Sequence, residues 1–361
     1  MRTTLHTLEA RGIRAIFDID GGQLAALEVE RNGRKINPWA RVPWADAPDD
    51  PSRFTAETPN HLRRMSGDFF CAPFVRDDLN GGPVHGWTAN GTWSFDQEIE
   101  IEGGRQATFN LAQTIAGAQV QKIWTLLDDH PFLYQCHRFT GGKMPVPVAH
   151  HAMVNLREGG RLAFSAKKWM ETPDTPPENA SDGGKSILTY PTKTSDLTSV
   201  STVNGPVDIT QYPFAEGHDD FAMLVDDPQG PYGWATAVRP SHNDIAMLIK
   251  PVSVLPQTML WMSNGGRPYA PWNGEHVGVL GIEEAASYGP HGWKASIEPN
   301  ALSEQGISTC VDLTKSDVVE IRTAMGAIAS NAAGPVRMEI KGDRVVLESG
   351  EELPFAAHLV V

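Results

Sequence analysis

The chain has 361 residues, of which 40% are hydrophobic, and it contains 34 Gly and 27 Pro. This excess of turn-forming residues argues against long helices and favours an all-β or mostly-β protein. With 44 Asp and Glu against 30 Lys and Arg, the net charge is −14, which argues against nucleic acid as a partner.

The cysteines and the hydropathy argue against a disulfide-stabilised protein, a zinc protein and a membrane protein. Cys71, Cys136 and Cys310 are odd in number, far apart and without C-x-x-C spacing, so we expect neither a disulfide framework nor a zinc site. No apolar run approaches the ~20 residues that span a bilayer, and the N-terminal residues contain no apolar leader. We therefore expect a soluble cytoplasmic protein with no membrane partner. Nothing in the sequence indicates the oligomeric state.

The first part of the chain predicts short strands joined by turns. Residues 13–39 alternate in bursts, and Asn32-Gly33 is a strong hairpin signal. Residues 42–65 are rich in Pro and Asp and predict a long loop. Residues 67–95 combine Gly, Pro, a histidine and two tryptophans, which favours a folded loop leading into a strand. Residues 98–142 then alternate as in an antiparallel meander.

Residues 145–156, PVPVAHHAMVNL, combine strand periodicity with two histidines. Because side chains alternate across a strand, His150 lies on a face with valines, alanine and leucine, whereas His151 shares the other face with Asn155. The apolar face predicts a core, so His151 is the candidate for chemistry. A single histidine in a strand is, however, more often a hydrogen-bonded structural residue than a catalyst.

The second half of the chain predicts more strands. Residues 166–220 are rich in loops, strands resume after residue 220, and an apolar run ends at Glu283 and Glu284. Residues 313–334 carry apolar side chains at helical spacing behind a Thr or Ser cap, which predicts a helix. Two strands follow, paired across Gly342-Asp343. We expect residues 1–361 to form a single domain, in which residues 311–361 supply this helix and the closing strands.

Three segments together resemble the aldose 1-epimerase (galactose mutarotase-like) superfamily. Its members carry His-Gly after a Pro- and Gly-rich loop, and here His85-Gly86 matches. They also carry Asn-His-Thr-Tyr-Phe-Asn-Leu on a strand, which His151 and Asn155-Leu156 match, with His150 in place of the first asparagine. A glutamate near the end of a later strand corresponds to Glu283. The order and spacing of these segments agree over roughly residues 13 to 310.

The resemblance implies a large antiparallel β-supersandwich with a sugar-binding groove. It also implies a mechanism for interconverting sugar anomers, in which a base removes the proton of the C1 hydroxyl and an acid protonates the ring oxygen. By this resemblance Glu283 is the base, His151 is the acid and His85 binds near the ring oxygen. The partner is a small-molecule sugar, and neither a metal nor an organic cofactor is required.

Several other residues are candidates for holding the sugar. Aromatic planes suit the apolar faces of pyranose rings, and amide or charged groups bind hydroxyls. The substrate-binding candidates are Asp68, Arg76, Trp87, Asn155, Asn264, Arg267 and Trp272. For each of them a purely structural role is at least as common. A phosphorylated sugar would require clustered basic residues, which Arg63, Arg64, Arg76 and Arg267 could supply.

The sequence departs from the family pattern at two places. Family members have an arginine close to the Pro-rich loop, for which Arg76 is the replacement here. They also have Pro-Phe-Asp, whose aspartate holds sugar hydroxyls, whereas Tyr212-Pro213-Phe214 is followed here by Ala215. Glu216, Asp219 or Asp68 are the available substitutes. The preferred sugar therefore stays open.

Three alternatives stay open. The first is a carbohydrate-binding protein that keeps the groove without turnover. The second is a glycoside hydrolase or lyase, which would need two carboxylates facing one bond; Asp68 and Glu283 are the candidate pair. The third concerns the base itself, because Glu284 is adjacent to Glu283 in the sequence and could take its place.

Overall fold

The computed structural model describes residues 4–361, and its regular secondary structure consists mostly of antiparallel β-strands. The first nine strands are β1 (Leu5–Ala10), β2 (Ile13–Asp18), β3 (Gln23–Arg31), β4 (Arg34–Ile36), β5 (Phe70–Cys71), β6 (Trp93–Ile101), β7 (Gly104–Leu111), β8 (Gln119–Leu127) and β9 (Phe132–Thr140). One short helix, α1 (Gly86–Asn90), precedes β6.

Sixteen further strands follow in the described part of the chain. These are β10 (Pro145–Val146), β11 (Val148–Asn155), β12 (Gly160–Phe164), β13 (Lys167–Glu171), β14 (Lys193–Thr194), β15 (Gln211–Tyr212), β16 (His218–Asp226), β17 (Tyr232–Arg239), β18 (Asp244–Pro251), β19 (Gln257–Asn264), β20 (Val279–Ala286), β21 (Val311–Asp312), β22 (Val318–Ala329), β23 (Met338–Lys341), β24 (Arg344–Leu347) and β25 (Glu352–Pro354). A second short helix, α2 (Trp293–Ile297), follows β20.

Two large sheets form the body of the fold. A seven-stranded sheet has the order β14-β13-β16-β19-β20-β11-β5, and a nine-stranded sheet has the order β15-β12-β17-β18-β22-β9-β8-β7-β6. Apolar residues of both sheets, together with residues of the four-stranded sheet β1-β2-β3-β4, form one buried cluster between them. The fold is thus a β-sandwich, as the sequence predicts, with its main core between the two large sheets.

The seven-stranded sheet is buried on its second face as well. Ala149, Met153, Met259 and Trp261 belong to a separate apolar cluster, which the loops of residues 40–74 help to cover. Alternation along β11 explains the split, because Val148, Ala152 and Val154 belong to the main core instead. The predicted division of residues 145–156 into two faces is therefore confirmed, although Pro147 separates β10 from β11.

The predicted helix of residues 313–334 is wrong. Residues 318–329 form β22, the longest strand described, which pairs with β18 and β9. Ile321, Met325 and Ala327 face the main core, whereas Ala324 faces a third cluster formed with the C-terminal strands. With both faces covered, apolar residues no longer alternate strictly, and their spacing imitates a helix.

Other predictions of local structure are confirmed. Asn32 and Gly33 connect β3 to β4, and both have the positive φ that a tight hairpin turn needs. β6 to β9 form the expected meander, and β23 pairs with β24 across residues 342–343. The C-terminal strands cover the outer face of the nine-stranded sheet. That residues 1–361 form a single domain stays a prediction.

Within residues 4–361, no helix is both long enough and apolar enough to cross a membrane.

Candidate active site

A cleft of about 780 Å³ opens over the second face of the seven-stranded sheet, and all three residues singled out for chemistry line it. Its volume lies within the usual range for small-molecule sites. Its lining includes His61, Phe69, Phe74, Arg76, His85, His151, Glu178, Phe221, Trp261, Arg267, Tyr269, Trp272 and Glu283.

His151 and Glu283 form a buried pair on the floor of the cleft. They are direct cross-strand partners in the pairing of β11 with β20, so the strand pairing places both side chains on one face. The Nε2 atom of His151 lies 3.1 Å from Oε1 of Glu283. A Cβ atom at Gly281 would lie 3.1 Å from Oε1 of Glu283 and 3.2 Å from Cε1 of His151. Glycine therefore leaves the pair the room it needs.

His85 reaches the same place from a loop. Its ring centroid lies 5.4 Å from that of His151, and its backbone has a positive φ of 64°. At the following Gly86, a Cβ atom would lie 2.0 Å from the carbonyl oxygen of Ala72. Glycine is thus required at position 86 by the close approach of two backbone segments, and the imidazole of the preceding His85 lines the cleft.

A third histidine, His61, extends this cluster. Its ring centroid lies 5.1 Å from that of His85, and its Nδ1 atom lies 3.0 Å from Oδ1 of Asn90. His61 comes from the aperiodic segment of residues 42–65, where the sequence offered no signal beyond the histidine itself. It is one functional candidate that sequence reasoning missed.

Burial moves the ionisation of these groups away from their ordinary ranges. It raises the pKa of Glu283 well above that of an ordinary glutamate, and it lowers the pKa of His151 to about 3. The pKa of His61 falls to about 4 and that of His85 falls well below its usual value, in both cases mainly through burial. The histidines are therefore neutral near pH 7.

The raised pKa of Glu283 and the lowered pKa of His151 imply that the pair holds one proton between its two facing atoms. A protonated carboxyl beside a neutral imidazole and a carboxylate beside an imidazolium contain the same number of protons. Burial favours the uncharged arrangement, with the proton on Glu283. A proton that crosses the 3.1 Å contact converts one arrangement into the other.

Several polar atoms of the site have no partner within the described part of the chain. They are Nδ1 of His85, Nδ1 of His151, Oε2 of Glu283 and Nε1 of Trp261. Buried polar atoms are normally hydrogen-bonded. Within the described residues, these four atoms around one cleft therefore keep hydrogen-bonding capacity that no protein group uses.

Aromatic rings form the walls of the cleft. Phe69 stacks on His151 with ring centroids 4.5 Å apart, and Trp261 meets the same imidazole edge-to-face at 5.5 Å. Trp272 packs against Trp261 at 5.6 Å. The site thus offers apolar planes beside acid-base groups, a combination suited to a pyranose ring.

Arg267 is held rigidly beside the two tryptophans. Its guanidinium carbon lies 5.3 Å from the Trp261 ring centroid and 4.7 Å from that of Trp272. Its Nε atom lies 2.6 Å from Oε1 of Glu178 and 3.5 Å from Oδ1 of Asp219. Tyr269 donates its hydroxyl hydrogen to Glu178 as well. The positive charge of Arg267 is therefore already balanced by carboxylates.

Of the predicted substrate-binding residues, Arg76, Arg267 and Trp272 line the cleft. The other four do not. The exposed Trp87 lies outside the lining, and the backbone amide of Arg157 donates to Oδ1 of Asn155. Asn264 braces loops, because it donates to the Ala215 carbonyl and accepts from the amide of Gly278.

Asp68 also lies outside the lining, in the interior of the sandwich. The amide of Gln135 donates to its Oδ2 at 2.8 Å, and Nδ1 of His150 lies 3.2 Å from the same oxygen. Its neighbour Phe69, on the other face, supplies a wall of the cleft. Asp68 and Glu283 therefore do not face one bond, and the geometry gives no support to the hydrolase or lyase alternative.

Glu284 is not available as the base. It forms an ion pair with the buried Lys250 and accepts a hydrogen bond of 2.8 Å from Thr258. Lys250 in turn lies 2.8 Å from Asp226. The structure thus places Glu283 in the cleft and Glu284 in a charged network on the opposite face.

Asp219, one of the three predicted substitutes for the missing Pro-Phe-Asp aspartate, contacts a residue of the cleft, because its Oδ1 atom lies 3.5 Å from Nε of Arg267. Its Oδ2 atom accepts from the amide of Gly266 at 2.9 Å, and burial raises its pKa to about 6. It stands behind Arg267 rather than in the lining. Glu178, from the Pro-rich loop of residues 173–178, is the carboxylate that does line the cleft, and sequence reasoning missed it.

Among residues 4–361 there is no cluster of three or more His, Cys, Asp or Glu side chains with metal-ligating geometry.

Comparison with known structures identifies the fold. A protein from Escherichia coli K12, provisionally assigned as an aldose 1-epimerase, is 13% identical, with a TM-score of 0.56 over 90% of this chain and 99% of its own. A galactose mutarotase related enzyme from Lactobacillus acidophilus is 10% identical, with a TM-score of 0.54 over 91% of this chain and 98% of its own.

A third structure, provisionally assigned as a mutarotase from Salmonella typhimurium, is 11% identical, with a TM-score of 0.54 over 90% of both chains. No protein-family model matches the sequence, and no curated protein sequence is significantly similar to it. At such low identity the structural matches define the fold alone. The fold is galactose mutarotase-like, as the sequence motifs predict.

Proposed function

We propose that this protein is an aldose 1-epimerase-like isomerase that interconverts the anomers of an aldose or a modified sugar. The observation that carries the proposal is the buried pair of His151 and Glu283, 3.1 Å apart on the floor of an aromatic cleft. Two ionisable groups in contact, one to remove a proton and one to supply a proton, are the minimum that opening a sugar ring requires, and the imidazole of His85 lies beside them.

The chemistry needs one proton removed and one proton supplied. Transfer of the shared proton from Glu283 to His151 yields a carboxylate and an imidazolium. The carboxylate then removes the proton of the C1 hydroxyl while the imidazolium protonates the ring oxygen, so that the C1–O5 bond breaks and an aldehyde forms. Rotation about C1–C2 and the reverse steps close the ring as the other anomer. The pair again holds one proton, so no proton is gained or lost.

The surroundings of the pair fit a neutral sugar. Trp261 and Trp272 supply apolar planes, and in this proposal the unpaired Nδ1 of His85, as an N–H donor, binds the ring oxygen or a neighbouring hydroxyl. Arg76 is exposed at the cleft and free to bind hydroxyls. Because Glu178 and Asp219 already balance Arg267, Arg76 alone among the described arginines of the cleft keeps an unbalanced charge, whereas a phosphate site needs clustered basic residues.

The direct test is anomer exchange measured by NMR. Magnetisation transfer between the α and β signals of glucose, galactose, mannose and xylose, at equilibrium and pH 7, reports the exchange rate without coupling enzymes. We expect the protein to accelerate exchange for at least one of these sugars well beyond the rate in buffer. Unchanged exchange across a broad panel would contradict the proposal.

A carbohydrate-binding protein without turnover is the second candidate. It is favoured by Ala215, which stands where the family resemblance calls for a sugar-holding aspartate, and whose carbonyl is engaged by Asn264. Calorimetric sugar binding without accelerated exchange would support this alternative.

A further inference from the structure

A second cleft of about 380 Å³ lies beside the first, and no step of the proposed reaction uses it. The two clefts share the wall residues Pro173, Asp174, Phe221, Pro290 and His291. Phe221 comes from β16, whereas the other four come from two loops. The clefts are therefore neighbours with a common wall, to which Phe221 and both loops contribute.

The second cleft continues the floor of the first across the sheet. Strand pairing places His151, Glu283, Met259, Met223, Glu171 and Lys193 opposite one another in a single row that runs from β11 to β14. Members of such a row share one face. Three strand spacings separate Glu283 from Glu171, a distance of about 14 Å. This is longer than one pyranose ring and suits a chain of sugar units.

Two polar groups of the second cleft, Glu171 and Lys193, contact each other and the indole of Trp169. The indole N–H of Trp169 donates to Oε2 of Glu171 at 2.8 Å. Nζ of Lys193 lies 3.1 Å from the same oxygen and 3.8 Å from the centroid of the Trp169 ring. A carboxylate and an ammonium oriented in this way present acceptors and donors to hydroxyl groups without a net charge.

The cleft also offers an aromatic surface. The rings of Tyr288 and His291 lie 4.7 Å apart at an angle of 31°, and both residues line it together with Met223. A surface of this kind covers the apolar face of a sugar ring. The second cleft thus repeats the combination of aromatic and hydroxyl-binding groups found in the first.

We infer that the second cleft binds a second sugar unit. The substrate is then a reducing disaccharide or a longer oligosaccharide, whose reducing-end ring lies at His151 and Glu283 and whose next unit lies between Tyr288 and Lys193. This inference rests on the proposed function for the orientation of the sugar. The wall at Phe221 marks the position of the glycosidic linkage.

Calorimetric binding tests this inference independently of turnover, because anomer exchange consumes no sugar and the unaltered protein can be used. Reducing disaccharides that end in glucose, galactose, mannose or N-acetylglucosamine are each compared with their own terminal monosaccharide. For at least one linkage we expect the disaccharide to bind about tenfold more tightly. In Lys193→Ala and Tyr288→Ala this ratio should fall towards one.

Lys341→Ala is the matched control. Lys341 forms a 2.8 Å ion pair with Glu339 in the three-stranded sheet β23-β24-β25, so its loss resembles that of Lys193 and should leave the ratio unchanged. The inference is overturned if no disaccharide binds more tightly than its monosaccharide, or if the affinity ratio stays unchanged in both Lys193→Ala and Tyr288→Ala. If the protein accelerates monosaccharide exchange but binds no disaccharide more tightly than its monosaccharide, this inference alone is contradicted. If a disaccharide binds more tightly but no sugar is exchanged, the proposed function alone is contradicted.

Discussion

Glu283 and Glu284 are adjacent in the chain but face opposite sides of the seven-stranded sheet. Glu283 contacts His151 in the cleft, whereas Glu284 pairs with Lys250 in the interior of the sandwich. Alternation along β20 produces this division. The two glutamates therefore have different roles, and substitutions of each should separate catalysis from stability.

Glu283→Gln should abolish most of the anomer exchange. Glutamine keeps the shape of the side chain but can neither share nor accept the proton, so we expect kcat/KM to fall by at least about 100-fold. Exchange NMR measures the rate, and circular dichroism checks the fold. A variant that keeps the rate of the unaltered protein would contradict the role of Glu283.

Glu284→Gln should mainly lower stability. It leaves Lys250 with one carboxylate partner fewer in a fully buried network, which we expect to cost on the order of 3 kcal/mol in the free energy of unfolding. Urea denaturation measures this loss. A large loss of exchange in a Glu284→Gln protein that unfolds like the unaltered one would argue that Glu284 is the base instead.

The pH profile should be flat on its acid side. Because burial lowers the pKa of His151 to about 3, the pair takes up a second proton only near that pH. We expect kcat/KM to stay within about twofold between pH 7 and pH 5. A fall of about tenfold per pH unit below pH 6.5, in protein that remains folded, would indicate an ordinary histidine and contradict the proposed one-proton pair.

Phosphorylated sugars should not be preferred substrates. Three of the four arginines considered for this role are engaged: Arg63 donates to the carbonyl oxygens of Pro48 and Thr55, Arg64 pairs with Asp18, and Arg267 pairs with Glu178 and Asp219. We expect glucose 6-phosphate to exchange no faster than glucose after subtraction of the buffer rate. A gain of about tenfold would show that the cleft binds phosphate.

His276 should make stability depend on pH. Its ring stacks on Trp261 and its Nδ1 atom lies 2.8 Å from Oγ of Ser263. Burial lowers its pKa to about 3, so the unfolded chain binds a proton near pH 6.5 that the folded protein does not. Above pH 6.5 His276 is neutral in both states and does not weaken folding. As the pH falls from 6.5 towards 3, protonation of the unfolded chain progressively lowers the free energy of unfolding.

Between pH 7 and pH 5 this one group should cost about 2 kcal/mol of the free energy of unfolding. His276→Gln should remove that share of the loss, as measured by urea denaturation at both values. An unchanged difference between pH 7 and pH 5 in the variant would contradict the buried neutral state of His276.

The acid-base pair could be predicted from the sequence because alternation in a strand is a local property. The apolar neighbours of His150 assigned it to the core and left His151 for the cleft, and the structure agrees. The helix predicted around residues 318–329 is wrong because β22 is buried on both faces. One face packs into the main core and the other against the C-terminal strands, so apolar residues occur on both faces and do not alternate.

The rest of the site depends on long-range packing. His61 and Glu178 come from aperiodic loops, and only tertiary structure brings them to the cleft. The carboxyl group of Asp68 makes it a candidate for binding hydroxyls. Its neighbour Phe69 faces the cleft, however, so Asp68 faces the interior of the sandwich. The sequence thus predicts which strand residues face the site, whereas the loop residues require the three-dimensional structure.

The most direct test of the central claim is a double-mutant cycle on His151 and Glu283, with kcat/KM for anomer exchange as the readout. If the two residues share one proton and act as a unit, each of His151→Gln and Glu283→Gln removes nearly all the acceleration, and the double variant is no worse than either. Losses that multiply in the double variant would show two independent groups and contradict the account.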